Sequence, residues 1–520
     1  MEAAVQFTCG RLDEAKGAAD SLHRFILGAD ERPVELDAPA IAELGDAVAQ
    51  GLFAQGVFPH TPEELLTALD GAAPELAVQR TFVVGEGTQF PAETPGSGLR
   101  AFLVTRGEGP DGPDIFVSTS APDAGFLEVM AWDRVRQGFN YYQTRGSEEP
   151  WVFAGNSADA LRSPSAGVGP FESHPSGHLV MKELRFPWVH WHSSAATVRA
   201  DAVSAELVNH AWFTARDGAQ DLEVGAVMPA IRRWTRARLQ MAVAADGTVA
   251  DPRQIMRSFV TTPTVNLISS QTQIGPVLNG AVETFDVPHA FFIDSECLHE
   301  ILGLPAPGPE QLTLASALYR DVLTARNVTI RQDGEALLAP PQDTHFAFVV
   351  PERAFEDIET VRVAVEIGLV SRRLAACLLM VDFSNPVFSE RRAALLDRVP
   401  PTATLTDGQS SFSEDCANAI LGSEAARTDG TPEAEFAQLW SAGEDWPARF
   451  SPMLTDYFAA IAAELGTADG ADRVFRLAES RRGQVRAMPI GGETQLLFAL
   501  PEPRLDERLR MLPTAAVVTA

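Results

Sequence analysis

The chain has 520 residues, 45% of them hydrophobic and 21% charged, and 70 acidic side chains against 41 basic ones give a formal charge of −29. That length and apolar content exclude a disordered chain and a disulfide mini-scaffold, and suffice for roughly two to four domains. The negative field repels phosphate backbones and anionic lipid headgroups, so nucleic acid and membrane surfaces are poor partners and a small-molecule substrate is expected.

Residues 1–75 read as a helical segment. Thr61, Pro62, Glu63 and Glu64 spell a capping box with proline at the first helical position, and Leu65, Leu66 and Leu69 supply the apolar face behind it. Over 76–200 the pattern turns β-rich. Short β-branched and aromatic runs at 81–84, 101–105, 114–118, 126–130, 139–142 and 151–153 are separated by Gly/Pro turns, which predicts an antiparallel β meander over about 80–155. Residues 154–200 are loop-rich, with one or two strands.

Helical patterns dominate from 201 onward, in a mixed stretch at 201–400 and a helical one at 401–520. Residues 259–270, rich in Thr and Ser, read as a strand whose hydroxyls cap the next element or as a polar wall of a pocket, and 343–350 as a strand entering a helix around 357–380. The most apolar stretch, 361–383, is interrupted by Arg362, Glu366, Arg372 and Arg373, so it reads as a core helix and not a membrane span. Thr431, Pro432 and Glu433 open a helix that turns Phe436, Leu439 and Trp440 inward; Met453, Leu454, Tyr457, Phe458, Ile461 and Leu465 form another stripe. The expected class is α+β: N-terminal helices, an antiparallel meander, then a predominantly helical C-terminal part. Joints are expected near 155–170, 302–310 and 400–432.

Most motifs fail on their spacing. Gly85-Glu-Gly87 and Gly167-Val-Gly169 lack the third glycine of a dinucleotide fingerprint, and the two lysines, Lys16 and Lys182, lie in no phosphate-binding loop, so neither NAD nor ATP is indicated. His299 and Glu300 begin a zinc-protease helix motif, but Gly303 stands where the second histidine is needed. Cys9, Cys297, Cys377 and Cys416 form no C-x-x-C, which gives no covalent haem signature and reads as buried thiols in a reducing compartment. The N-terminus lacks a basic region followed by an apolar one, so a cytoplasmic protein is expected. The arginine pairs Arg232-Arg233, Arg372-Arg373, Arg391-Arg392 and Arg481-Arg482 read as solvated helix faces.

One segment stands apart. Residues 139–192, about a tenth of the chain, hold four of its ten histidines: His174, His178, His190 and His192. In Phe186-Pro-Trp-Val-His-Trp-His192 an extended backbone points His190 and His192 to one side, so both can reach one metal at roughly 2.0–2.1 Å. Upstream, Glu172, His174 and His178 lie on a loop bent by Pro175 and Gly177, and His210 is a further candidate ligand. Such a set suits a transition metal, iron, zinc or copper. Lys182 and Glu183, between the two histidine pairs, are the candidate catalytic proton carriers.

Three functional readings follow: a metal-dependent enzyme, an oxidoreductase or oxygenase acting on a small apolar or aromatic molecule; a non-catalytic binding or scaffold protein in which the histidine and tryptophan segment is core; and a metal-free enzyme using a histidine and carboxylate acid–base pair. Asp294, Glu296, Asp343 and His345 supply groups able to complete a site from a distance.

Overall fold

The computed structural model describes residues 19–85, 99–172, 174, 176–178, 204–262, 265–270, 272, 274–308, 312–327, 347–348, 350–486 and 507–520. The architecture is α+β. An eight-stranded sheet comprises β1 (Leu22–Arg24), β2 (Val34–Glu35), β3 (Gln79–Gly85), β4 (Leu99–Arg106), β5 (Ile115–Thr119), β6 (Leu127–Asp133), β7 (Gly138–Thr144) and β8 (Trp151–Asn156), in the order β2-β1-β8-β7-β6-β5-β4-β3. Strands β3 to β8 form the expected antiparallel meander. The opening segment also departs from a purely helical reading. Beside its helices it contributes β1, which adds to β8 in parallel with Leu22 opposite Trp151 and Arg24 opposite Phe153.

Alternation along each strand sends side chains to two faces, and both are covered. Val129, Tyr142 and Trp151 face the N-terminal helices, packing with Val48, Leu52 and with Leu65 and Leu69 of α1 (Pro62–Ala72). The Thr61 capping box forms as expected: its side chain accepts from the Glu64 amide while Glu64 reaches back to the Thr61 backbone. Phe116, Met130, Trp132, Phe139 and Tyr141 face the other way, onto Ile231, Trp234 and Ala237 of α2 (Met228–Met241). Burial on both sides explains why the strands read as apolar runs and not as a clean alternation.

Helix α2 joins the sheet to the rest. Its Arg233 guanidinium lies 4.1 Å from the Trp132 ring centre, while Arg232 and Arg236 pair with Glu359 at 3.3 Å and Glu366 at 3.1 Å, both on the helix spanning Phe355–Glu366. The helical part contains α3 (Pro252–Val260), α4 (Ser316–Ala325), α5 (Phe355–Glu366), α6 (Arg372–Met380), α7 (Phe412–Leu421), α8 (Pro432–Trp440), α9 (Trp446–Leu465) and α10 (Ala468–Arg486). Among the described residues four two-stranded ribbons are inserted between them: β9 (Thr248–Val249) with β14 (Ala403–Thr404), β10 (Val265–Ile268) with β13 (Val350–Arg353), β11 (Thr284–Asp286) with β12 (Thr313–Ala315), and β15 (Leu509–Met511) with β16 (Val517–Thr519). One continuous core draws buried residues from Leu239 through Ala515.

Three expectations need correction. The apolar stretch 361–383 is not one helix: α5 and α6 are separated by a turn in which Gly368 has φ 77°, and a Cβ there would collide with the Gly408 carbonyl oxygen. Within the stripe on α9, Leu454, Tyr457, Phe458, Ile461 and Leu465 are buried but Met453 is exposed. Arg392 and Arg481 are not solvated; each is 2% exposed. Their guanidinium groups donate to backbone carbonyls, Arg392 to Asn385 at 3.0 Å and Pro386 at 2.6 Å, Arg481 to Ser384 at 3.0 Å. A planar fork of donors fits a turn of unpaired carbonyls, and here it fixes the loop after α6. No helix among the described residues is long and apolar enough to cross a membrane.

Candidate active site

Where α2 meets the helical part, a cleft of about 380 Å³ opens. Its polar lining comes from three separate pieces of chain: Glu223; His289, Asp294, Ser295 and Glu296; and the adjacent Glu352 and Arg353 of β13. Met228, Ile268, Ile293 and Phe355 form apolar walls. That size and mix, an apolar pocket with a few convergent polar groups, is the usual form of a small-molecule site.

Two of the pieces lead into π-helical turns. Glu223–Val227 runs into α2, and Glu296–Ile301 follows Asp294. Each begins with a cleft glutamate. A π-turn inserts one extra residue and rotates side chains relative to an α-helix, and such turns are frequent at functional sites. Pro229 follows the first turn within a helix that runs on from Ala219, and having no N–H to donate it interrupts the hydrogen-bond ladder just past the π-turn.

Glu352 and Arg353 are neighbours on a strand and have opposite tasks. Asn266 stands directly opposite Glu352 in the β10·β13 pair, and its Nδ2 donates to Glu352 Oε1 at 2.8 Å. Arg353 is 3% exposed. Its Nε donates to Asp294 Oδ2 at 2.5 Å, and its Nη1 and Nη2 donate to the Ser258 and Phe259 carbonyls in the last turn of α3. The buried pair therefore closes the floor of the cleft and caps a helix C-terminus at once. Arg392, by gripping the Asn385 and Pro386 carbonyls, fixes the wall to which Pro386 contributes.

The surroundings shift the titration of the lining groups. Burial raises the Glu352 carboxyl to about 8; the Asn266 bond opposes this, while the charges of Glu223, Glu296 and Asp294 add to it. Burial raises Glu223 to about 7. Glu296 is also raised by burial, against the pull of Arg362, whose Nη2 lies 3.0 Å from its Oε1. Burial lowers His289, which keeps its imidazole neutral. At neutral pH the cleft thus holds a carboxylic acid able to donate, a second carboxyl near its midpoint, and an imidazole able to accept.

The histidine segment is described only in its first part. His190, His192, Lys182 and Glu183 lie outside the described residues, as do Asp343 and His345. His174 and His178 share one tight turn: His174 Nδ1–H donates to the His178 carbonyl at 2.9 Å, and the His174 ring sits 5.4 Å from that of Tyr141. Burial lowers His174 to about 4, so its ring is neutral with Nε2 as its acceptor nitrogen. Glu172 is exposed. His210 sits on the opposite face of the sheet. Its Nδ1 caps a short helix by accepting from the Trp212 amide at 3.2 Å, and its Nε2 lies 3.2 Å from Glu63 Oε1, while Trp212 packs on Phe102. The sheet therefore separates His210 from His174. Among the described residues no group of three or more His, Cys, Asp or Glu side chains is placed to hold a metal ion.

Asp294 and Glu296, which sequence reading named as able to complete a site, do line the cleft. Glu223, His289 and Glu352 were missed. Each is an ordinary polar residue in its local sequence, without a motif, and becomes notable only through its neighbours. Comparison with protein-family models, curated proteins and solved structures finds no match.

Proposed function

We propose that the chain is an enzyme performing general acid–base catalysis on a small polar molecule in this cleft. In this reading the protonated Glu352 is the acid and Glu223, with the neutral His289, is the base. The chemistry that suits them is a hydrolysis or an elimination: one group protonates the departing atom while the other removes a proton from the attacking water or from the substrate carbon. The observation that carries the reading is the convergence, in one cleft, of Glu352, raised by burial to about 8, and Glu223, raised by burial to about 7. Two carboxyls poised near neutral pH cost folding energy and are a mark of catalytic sites. The reading corresponds to the metal-free alternative; the metal-dependent oxygenase reading rests on His190 and His192 and keeps its own test in their substitution. The buried thiols of Cys297, Cys377 and Cys416 fit a cytoplasmic setting.

The test is a ¹³C carboxyl titration of glutamate-labelled protein. One resonance titrating near pH 7 should vanish in Glu223→Gln and one near pH 8 in Glu352→Gln. Incubation with a pooled set of polar metabolites, read by mass spectrometry, should show a compound consumed by the parent protein and spared by both variants. Titration of both carboxyls near the ordinary glutamate value would refute the assignment. A protein that consumes nothing favours the binding or scaffold alternative.

A further inference from the structure

Resting on the acid–base reading of the cleft, we propose that its ligand is a small organic cation, an alkyl amine or guanidinium, seated between Glu223 and Glu352. The charge inventory of the walls carries the argument. Arg353, the one guanidinium among the described lining residues, is engaged by Asp294 and two backbone carbonyls. Arg232 and Arg362, which approach from α2 and α5, are held by Glu359 and Glu296. An anionic ligand therefore finds no available positive partner among the described lining residues.

A cation finds several acceptors. Among the described residues Glu223 makes no ion pair and Glu352 receives only the Asn266 amide. A small hollow shares Met228, Glu296, Phe355 and Ile358 with the cleft and is lined by Arg232, already paired with Glu359, and by Glu359 itself, which is 4% exposed. One Glu359 oxygen takes both arginines, but the other, Oε1, is buried and meets no hydrogen-bond donor among the described residues. A buried acceptor without a donor is costly, and an ammonium or guanidinium N–H reaching past Glu296 would satisfy it. The apolar walls at Ile268, Ile293 and Phe355 suit the methylene stem of such a ligand. The −29 charge of the chain would steer cations inward.

This seating has a thermodynamic signature. Glu352 and Glu223 are held partly protonated by burial and by the carboxylates around them, and an entering cation reverses that balance, so they ionise and release protons. Affinity should therefore rise with pH across about 6 to 8, by up to about tenfold per pH unit for each proton released.

Isothermal titration with agmatine and putrescine, at several pH values and in two buffers of different ionisation enthalpy, reads both affinity and protons released. Inorganic phosphate and sorbitol serve as the anionic and neutral comparisons. The expected result is saturable binding of the two cations only, with proton release that falls in Glu352→Gln and, separately, in Glu223→Gln. Equal binding of sorbitol or phosphate, cation binding independent of pH, or no saturation at millimolar cation overturns the inference. The carboxyl titration separates the two levels: carboxyls titrating near neutrality without cation binding sink the cation alone, whereas carboxyls titrating at the ordinary value sink the acid–base reading too.

Discussion

Replacing Glu352 by glutamine isolates the cost of keeping a catalytic carboxyl in a buried place. A glutamate carboxyl ordinarily titrates near 4.5 and here is raised to about 8. A carboxyl whose folded-state pKa lies above its unfolded value favours the fold only while protonated. Its contribution is complete below the unfolded value and is lost as pH rises through the folded one. Between pH 5 and pH 9 that loss integrates to about 4 kcal/mol, from about 1.4 kcal/mol per pH unit across the window. The contact of the cleft with solvent makes this an upper value. The substituted amide has nothing to titrate, and its carbonyl can still accept from Asn266, so Glu352→Gln should match the parent near pH 5 and exceed it progressively toward pH 9. Urea unfolding midpoints at pH 5, 7 and 9 measure the difference directly. Curves that remain parallel across that range would mean that Glu352 is solvated and ordinary, and the acid role assigned to it would go with it. A variant more stable yet inactive would be the expected trade between stability and a strained site.

Three further outcomes follow from buried groups elsewhere. His174 behaves in the opposite sense to Glu352: its value is lowered from 6.5 to about 4, so the fold loses up to about 3 kcal/mol as pH falls through that window, and His174→Gln should flatten the acid limb of a stability profile; an unchanged limb contradicts the burial argument. Asp294→Ala leaves the Arg353 charge buried at 3% exposure without its partner and should cost about 3–5 kcal/mol, whereas Asp294→Leu combined with Arg353→Met should cost much less; equal losses would mean the pair is not coupled. The buried thiols Cys297, Cys377 and Cys416 should resist iodoacetamide until the chain unfolds, because burial raises all three, Cys377 and Cys416 to about 12; peptide mapping that finds any of them alkylated in native protein would show an open path to the core.

The location of the cleft is tied to the construction of the fold. Helix α2 must satisfy two surfaces, the sheet through Ile231 and Trp234 and α5 through Arg232 and Arg236. The π-turn that precedes it re-aims the chain at that seam and leaves Glu223 facing the gap. The side of the gap opposite α2 is held by buried arginines, Arg353 on the floor and Arg392 behind Pro386, so that wall is fixed by hydrogen bonds to backbone. Rigid walls around poised carboxyls are what a preorganised site requires.

Sequence by itself determined what depends on neighbours along the chain. The six strands of the meander, the Thr61 capping box and the Thr431-led helix with Phe436, Leu439 and Trp440 buried were all readable, because strand periodicity, cap chemistry and apolar stripes are local. Tertiary structure decided what depends on partners far away in sequence. Strand β1 is three residues long and exists because β8 pairs with it, and Arg392 and Arg481 are buried because a turn of carbonyls waits for them. The cleft belongs to this second kind. Its acidity arises when Glu223, Glu296 and Glu352, up to about 130 positions apart in sequence, are pressed into one poorly solvated space, and desolvation and mutual repulsion act through distance in space, which no local pattern records.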